Sequence, residues 1–218
     1  DLISSSGAVP GIKVDTGAKN LANSPQEKIT EGLDGLRERL KKYYDLGARF
    51  TKWRGVYSIS EKFPSKLAIS CNAHALARYS ALVQESGMVP IVEPEVLMNG
   101  SHSAEVCFSK TTEVIRKCFE ELLLHKVDLS GIILKPNMIL AGNISKNKIS
   151  NDEVSLKTLE CLKNSVPNEV PGIAFLSGGQ SEIEATENLN LINKNNNTNF
   201  IMTYSYGRAL QQSALKVW

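Results

Sequence analysis

One lysine in this chain has a sequence setting in which it could act as a nucleophile. Lys135 ends an apolar run, residues 131–134, and is followed at once by Pro136. Such a run is typical of a strand buried on both faces, and a proline ends its hydrogen-bonded ladder. Because burial disfavours a charged ammonium, an amine in this position is driven toward the neutral form that makes Schiff bases with carbonyl substrates. A lone lysine at a strand end is more often a surface residue with a buried stem, so this interpretation depends on its neighbours.

Polar or glycine-rich residues also lie at the ends of the other predicted strands. Short runs rich in apolar residues predict strands over residues 9–14, 49–53, 89–92, 131–134, 172–176 and 200–204. The residues at their carboxyl ends are Lys13, Asp15, Lys52, Arg54, Glu93, Glu95, Lys135, Asn137, Ser177, Gly178, Gly179, Ser205, Gly207 and Arg208. In a barrel of parallel strands these ends meet on one face, where the active site is built. We therefore expect them to form one site.

Helical patterns separate the predicted strands. Apolar residues recur at helical spacing over residues 33–44, 76–83 and 106–122, and a last helix is predicted over residues 207–218. Two further helices begin with capping boxes, Ser150 with Glu153 and Ser181 with Glu184. Strands that alternate with helices and are continuously apolar predict an α/β fold with a parallel sheet and helical crossovers.

The loops after the last two predicted strands have compositions suited to an anion. Gly178 and Gly179 allow backbone amides to turn toward a ligand, and the helix that follows Ser181 favours negative charge at its N-terminus. Arg208 supplies a guanidinium that can form two parallel hydrogen bonds with a phosphate. Singly, a glycine pair is often a tight turn and an arginine a solvated charge. Their position after consecutive last strands favours a phosphate site.

Six segments of the chain resemble the class I fructose-bisphosphate aldolases, the Schiff-base lyases of glycolysis. In chain order they are GIKVD (11–15), ARFTKWR (48–54), VPIVEPE (89–95), LKPNM (134–138), FLSGGQS (175–181) and SYGRALQ (205–211). The likeness extends from about residue 10 to residue 218. It implies a TIM (β/α)8 barrel, of which this chain covers about six βα units, the family's strands three to eight. Residues 1–218 would then form a single partial barrel domain.

The resemblance also implies roles for the residues at the strand ends. Lys135 would be the Schiff-base nucleophile and Glu93 the general acid and base. Lys52 would be the second active-site lysine, whose charge stabilises oxyanions during the reaction. The residues implied to bind the substrate and its phosphates are Lys13, Asp15, Arg54, Glu95, Ser177, Gly178, Gly179, Ser205, Gly207 and Arg208.

The implied reaction is the cleavage of fructose 1,6-bisphosphate to dihydroxyacetone phosphate and glyceraldehyde 3-phosphate, in the cytoplasm and by a homotetramer. Fructose 1-phosphate remains open as a substrate. We expect neither a cofactor nor a metal, because the protonated imine itself accepts the electrons of the cleaved bond. The three histidines, His74, His102 and His125, are far apart and form no paired ligand motif, and the four cysteines form no CxxC pair.

Composition excludes several other classes of protein. A hydrophobic content of 42% and a charged content of 22% are ordinary for a globular domain. A net charge of +2 with dispersed basic residues gives no indication of nucleic-acid binding. No apolar stretch is long enough to span a membrane.

The chain is expected to be a partial one, because the family's first two strands and its C-terminal tail have no counterpart in it. An eight-stranded barrel typically needs about 250 residues. Two other functions remain open: a non-catalytic module of the aldolase fold that binds phosphorylated ligands or a cytoskeletal partner such as actin, and another Schiff-base barrel such as a transaldolase. The joint presence of Lys135, Glu93 and Lys52 favours the aldolase.

Overall fold

The computed structural model describes residues 2–218, which form strands and helices in alternation along most of the chain. The strands are β1 (Gly11–Lys13), β2 (Gly17–Leu21), β3 (Ser24–Glu31), β4 (Phe50–Tyr57), β5 (Val89–Val96), β6 (Ile133–Leu134), β7 (Gly172–Phe175) and β8 (Ile201–Tyr204). The helices are α1 (Leu2–Ser5), α2 (Leu36–Asp45), α3 (Lys66–Glu85), α4 (Ala104–Leu124), α5 (Asn151–Ser165), α6 (Glu182–Asn195) and α7 (Arg208–Val217). Among the described residues, none of these helices has the length and apolarity needed to cross a bilayer.

Six of the strands form one sheet in the order β1-β4-β5-β6-β7-β8, and every neighbouring pair is parallel. The predicted α/β fold with a parallel sheet is thereby confirmed. All six strands lie where the apolar runs predicted them, but β4 and β5 continue to Tyr57 and Val96, beyond their predicted ends. The two strands pair with each other along this extension, so the backbone stays hydrogen-bonded despite the charged side chains there.

The apolar face of the sheet packs against the helices. Trp53, Val92, Leu134, Ile173 and Phe175 come from four successive strands, β4 to β7, and all are fully buried in one hydrophobic cluster. The same cluster includes Leu40 of α2, Leu76 of α3, Ile115 of α4, Leu162 of α5 and Ile192 of α6. This core fixes the orientation of each strand, so the side chains that alternate with the core residues must point to the opposite face.

A hairpin that the sequence did not predict lies between β1 and α2. Its strands, β2 and β3, are antiparallel and rich in polar residues, so they lack the apolar alternation that identifies a strand. Polar contacts attach the hairpin to the rest of the fold. Thr30 donates to the Arg54 carbonyl at 2.6 Å, the Asn72 amide donates to the Lys28 carbonyl at 2.8 Å, and buried Glu27 accepts from the Ser65 backbone at 2.7 Å.

Serine caps define the beginnings of the four long helices. Both predicted capping boxes, Ser150 with Glu153 and Ser181 with Glu184, are present with reciprocal hydrogen bonds. Ser65 and Ser103 cap α3 and α4, because each serine hydroxyl accepts a hydrogen bond from a backbone N–H in the first turn. These two helices lack the second hydrogen bond of a capping box, in which a Glu side chain accepts from the backbone of the cap residue. Each of these helices follows the loop at the carboxyl end of a strand, so its cap helps to set where that loop ends.

The core makes a specific prediction for stability. Phe175 on β7 has no exposed surface, so Phe175→Ala should lower the free energy of unfolding by about 3–5 kcal/mol. Urea denaturation followed by circular dichroism measures this loss. Ile183→Ala on α6, where the side chain is mostly exposed, is the matched control and should change stability by about 0.5 kcal/mol or less. Equal losses for both variants would contradict this assignment of the core.

Candidate functional site

The register of the sheet brings the charged strand residues to one face. Lys52 on β4 is paired with Ile91 on β5, and Ile91 is paired with Ile133 on β6. Because side chains alternate along a strand, Glu93 and Lys135 lie on the same face as Lys52. The members of this face are Lys13, Lys52, Arg54, Glu93, Glu95 and Lys135. The sequence placed these residues at the strand ends, whereas Lys52, Arg54, Glu93 and Glu95 lie within the longer strands that the structure contains.

Glu93 lies between two lysines. Its Oε1 atom is 3.1 Å from the Lys135 Nζ, and its Oε2 atom is 2.9 Å from the Lys52 Nζ. Neither contact has the angles of a hydrogen bond, so both are ion pairs held by charge. Glu93 is 3% exposed and Lys135 is 9% exposed, so the carboxylate and the amine face each other almost without water. A buried carboxylate between two amines can accept a proton from one of them. The positive charge of the other amine stabilises the carboxylate in its ionised form.

The backbone around Lys135 is held by its neighbours. Its own N–H donates to the Val92 carbonyl at 2.7 Å, which continues the β5–β6 pairing by one residue. Asn137, also buried, accepts from the Val96 N–H at 3.0 Å and donates to the Thr111 hydroxyl at 3.0 Å. The sequence placed Asn137 at the strand end without a role, and its contacts assign it the anchoring of the segment after Lys135.

Two further ion pairs lie on the same face. Arg54 donates from Nε to Glu95 Oε2 at 2.5 Å, and Lys13 Nζ lies 2.5 Å from Asp15 Oδ1. Burial acts to lower the pKa of Arg54, but the hydrogen bond and charge of Glu95, with the charges of Glu93 and Asp15, raise it above its ordinary value. Asp15 Oδ2 is buried and has no hydrogen-bond partner among the described residues. It is an acceptor that a ligand hydroxyl could satisfy.

The loop after β7 turns at two consecutive glycines. Gly178 and Gly179 have φ values of 58° and 85°, in the left-handed region that favours glycine. The Gln180 side chain donates to the Ser177 carbonyl at 2.8 Å and accepts from the Asn188 amide at 2.7 Å. Asn188 lies on α6, so this chain of contacts fixes the loop to its helix. Sequence reasoning gave Gln180 and Asn188 no role, because nothing in their spacing distinguishes them from surface amides.

Arg208 meets the glycine loop across a cleft of about 470 Å³, whose lining includes Ser177, Gly179, Arg208 and Lys216. The Ser205 N–H donates to the Phe175 carbonyl at 2.8 Å, which holds the β8 loop against β7. Ser205 and Gly207 are in this loop but do not line the cleft. No ion pair or hydrogen bond among the described residues joins the cleft to the Lys135 cluster, and the two groups are neighbours through β6 and β7.

The loops after β5 and β6 are bound to each other beside the site. The Asn143 N–H donates to the Met98 carbonyl at 2.7 Å, and the Gly142 N–H donates to the His102 carbonyl at 2.9 Å. The Asn143 side chain accepts from the Gly100 N–H at 2.9 Å. The structure therefore gives the start of the polar segment 143–151 a structural role, the tying of one strand-end loop to the next.

One contact between histidines was not indicated by the sequence. His74 and His125 are far apart along the chain, but their rings lie 4.9 Å apart, centroid to centroid, beside Glu121. Residue spacing could not show this, because the two rings meet through the packing of α3 on α4. The cluster contains none of the strand-end residues.

The strands of the parallel sheet lie side by side in chain order with helices between them, which is the arrangement of part of a (β/α)8 barrel. Comparison with known proteins identifies the family. A family model described as fructose-bisphosphate aldolase class-I, in the glycolytic group, matches residues 1–218. The chain belongs to the class I fructose-bisphosphate aldolase family.

Individual relatives agree with this assignment. The chain is 51% identical to a probable fructose-bisphosphate aldolase class 1 of Xanthomonas axonopodis pv. citri, over 97% of this chain and 64% of the relative. It is 50% identical to fructose-bisphosphate aldolase 4, cytosolic, of Arabidopsis thaliana, over 100% of this chain and 56% of the relative. The chain thus spans about three-fifths of the length of these curated relatives.

A solved structure confirms the fold. It is a ternary co-crystal structure of fructose-bisphosphate aldolase from Plasmodium falciparum in complex with TRAP and a small-molecule inhibitor. The two chains superpose with a TM-score of 0.97 and are 46% identical, over all of this chain and 63% of the other. The six βα units found here are therefore units of an aldolase-type barrel.

Proposed function

We propose that the protein containing this chain is a lyase that cleaves fructose 1,6-bisphosphate to dihydroxyacetone phosphate and glyceraldehyde 3-phosphate through a Schiff base on Lys135. The observation that carries the proposal is the position of the Glu93 carboxylate, 3.1 Å from the Lys135 amine and 2.9 Å from the Lys52 amine, in a buried cluster. Imine formation requires at least a nucleophile and an acid–base group within reach of it.

Imine formation needs three proton transfers, and Glu93 takes part in two of them. Lys135 gives up a proton to Glu93 Oε1, and its free amine attacks the ketone carbon of the substrate. A proton then passes from the nitrogen to the former ketone oxygen to give a carbinolamine. Glu93 returns the proton to the carbinolamine hydroxyl, which leaves as water and yields the protonated imine. The Lys52 ammonium, next to the other carboxylate oxygen, stabilises the anionic form of Glu93 before the first of these transfers and again after the second.

Cleavage uses the protonated imine as the electron acceptor. A base removes the proton of the C4 hydroxyl, the C3–C4 bond breaks, and glyceraldehyde 3-phosphate leaves as the aldehyde. The bonding electrons become those of an enamine on Lys135. Protonation of the enamine carbon and hydrolysis of the imine then release dihydroxyacetone phosphate and restore the amine. We assign the hydroxyl proton to Glu93, since it is the buried carboxylate beside Lys135.

The remaining strand-end residues would bind the substrate. We assign one phosphate to the cleft between the two last loops, bound by the Ser177 hydroxyl, the Gly179 amide and the Arg208 guanidinium that line it. Gly178, Ser205 and Gly207 lie in the same loops but do not line the cleft, and they would hold these groups in place. The charged pairs Lys13–Asp15 and Arg54–Glu95 would contact sugar hydroxyls, and the unpartnered Asp15 Oδ2 is the acceptor best placed to do so.

Covalent trapping tests the proposal. Sodium borohydride added with dihydroxyacetone phosphate should inactivate the protein irreversibly, and mass spectrometry should find the reduced adduct on the peptide that contains Lys135. Borohydride alone is the control and should leave activity intact. An adduct on Lys52 or Lys13, with none on Lys135, would make this assignment wrong.

Arg208 gives a prediction for substrate binding. Arg208→Ala should raise KM for fructose 1,6-bisphosphate by about 10- to 100-fold, because a hydrogen bond to a charged group contributes about 1.5–3 kcal/mol. A smaller fall in kcat is expected as well, since phosphate binding positions the reacting carbon. Steady-state kinetics measure both values, and Arg78→Ala on α3 is the control. Unchanged kinetics for Arg208→Ala would remove Arg208 from the site. The same assay with fructose 1-phosphate determines the preference between the two sugars.

A second candidate function is binding without catalysis. The observation in its favour is that the Plasmodium falciparum aldolase was solved in complex with TRAP. A binder needs the phosphate cleft but not the lysine–glutamate–lysine cluster, so a purified protein that binds sugar phosphates and cleaves none would support it.

The name of the cytosolic Arabidopsis relative supports a cytoplasmic location. We propose a homotetramer as the assembly, which sedimentation of the full chain would test.

A further inference from the structure

Two histidines and a glutamate form a cluster on the surface formed by α3 and α4. Glu121 Oε2 lies 3.4 Å from His74 Nδ1 and 3.9 Å from His125 Nδ1. One potential ligand atom from each of the three residues lies within 4.8 Å of the other two. The cluster is separate from the strand-end site and from the proposed aldolase chemistry.

The two helices present these side chains to each other. Glu121 and His125 are four residues apart, at the end of α4, and therefore lie on the same side of that helix. His74 comes from the middle of α3, which packs along α4. The three residues thus converge from two elements whose relative position is fixed by the core.

The orientation of His125 suits a metal ligand. Its Nδ1 atom lies 2.8 Å from the Glu121 carbonyl oxygen and therefore carries the hydrogen that it donates. The lone pair is then on Nε2. A ring N–H donated to a backbone carbonyl is the arrangement that orients histidine ligands in metal sites and fixes their tautomer. This contact exists in the protein without any ion bound.

We propose that His74, Glu121 and His125 bind a first-row divalent cation such as Zn²⁺, with water completing its coordination. Two imidazoles and one carboxylate are a ligand set that zinc accepts. Ligands about 2.0–2.1 Å from a tetrahedral zinc are about 3.4 Å apart, so potential ligand atoms that lie within 4.8 Å of one another here must move closer by about 1.4 Å at most. His74 can make this movement because its side chain is 52% exposed.

A neighbouring lysine affects the affinity of the proposed site for a cation. Lys117 Nζ lies 3.2 Å from Glu121 Oε1, the carboxylate oxygen that faces away from the histidines. The lysine repels an incoming cation. We therefore expect a site of moderate affinity that becomes tighter when Lys117 is neutralised.

Metal titration of the full chain, free of any affinity tag and treated with chelator, tests the site. Zn²⁺ binding is measured by calorimetry near neutral pH, and Co²⁺ binding is measured by the visible absorption of the bound ion. We expect one ion per chain. His74→Ala and Glu121→Gln should each weaken binding by at least about tenfold. Lys117→Gln should strengthen it.

Two variants serve as matched controls. Glu120→Gln removes the adjacent carboxylate of α4, which also pairs with Lys117, and should weaken binding by less than about twofold. Cys71→Ser removes the one half-exposed thiol, one turn before His74 on α3, and should leave binding unchanged. Since the ion joins two helices, saturating Zn²⁺ should raise the midpoint of thermal unfolding in the native protein and not in His74→Ala.

The outcomes are decisive in either direction. Binding that is equal in the native protein and His74→Ala would overturn the proposal, as would binding that is lost only in Cys71→Ser. His74→Asn, which keeps a polar side chain of similar size, repeats the test should the alanine variant fold poorly. Chelation is expected to leave fructose bisphosphate cleavage intact, so a failure here and a failure of the proposed function are separately visible.

Discussion

Lys135→Met is expected to abolish fructose bisphosphate cleavage, lowering kcat by on the order of 10⁴-fold or more, the scale seen when a covalent nucleophile is removed. Methionine fills a similar volume but has no amine, so no imine forms. The fold should persist, because the change leaves Glu93 paired with Lys52 at 2.9 Å and removes one of two positive charges beside it. Activity is measured with a coupled assay and the fold by circular dichroism.

The control for this prediction is a lysine outside the site. Lys163→Met on α5 alters an exposed lysine and should retain full activity and full trapping by borohydride. Lys135→Arg should be as inactive as Lys135→Met, because a guanidinium cannot be deprotonated in a protein. Residual cleavage above about a hundredth of the native rate in Lys135→Met would contradict the proposed nucleophile.

Glu93→Gln is expected to lower kcat by about 10²- to 10⁴-fold, the range for loss of a general acid–base group. Lys135 is still present, so borohydride trapping should proceed more slowly but should still label the same peptide. This split separates the proton-transfer role from the nucleophilic one. Rapid-quench trapping and steady-state cleavage are the two measurements.

Stability must be measured beside activity for this variant. Without the carboxylate, the amines of Lys52 and Lys135 repel each other in a mostly buried place, and breaking a buried ion pair costs about 3–5 kcal/mol. Glu169→Gln, an exposed change before β7, is the control for both properties. Should Glu93→Gln remain folded and cleave at the native rate, Glu93 is not the acid–base group.

The strands and the charged face could be predicted from the sequence, because both depend on local patterns. Apolar runs predicted the sheet, and the residues that follow them indicated the site. The lengths of β4 and β5 could not be predicted, since Arg54, Glu93 and Glu95 are typical of loops when read along the chain. They are strand residues because the partner strand supplies hydrogen bonds and the opposite charges neutralise one another.

Contacts between elements that are far apart along the chain also could not be predicted from the sequence. The β2–β3 hairpin is held by the side chains of Glu27 and Thr30 on β3 and of Asn72 on α3. The histidine cluster depends on the contact of α3 with α4 in the same way. Such pairings are decided by the three-dimensional packing, and no period within a single helix or strand indicates them. The individual roles assigned to the site residues stay predictions until the variants above are measured.

The alternation of the two faces has a consequence for how such a protein can change. On β5, Val92 packs in the core while Glu93 faces the site. On β4, Trp53 packs in the core while Lys52 faces the site. Substitution at a site position therefore alters reactivity with little disturbance to the packing behind it. Insertion of a single residue would instead exchange the two faces of the strand. A charged side chain would then enter the hydrophobic core, and an indole would face the site. Descendants of this chain are free to acquire new chemistry by point mutation, while the spacing within each strand must be inherited unaltered.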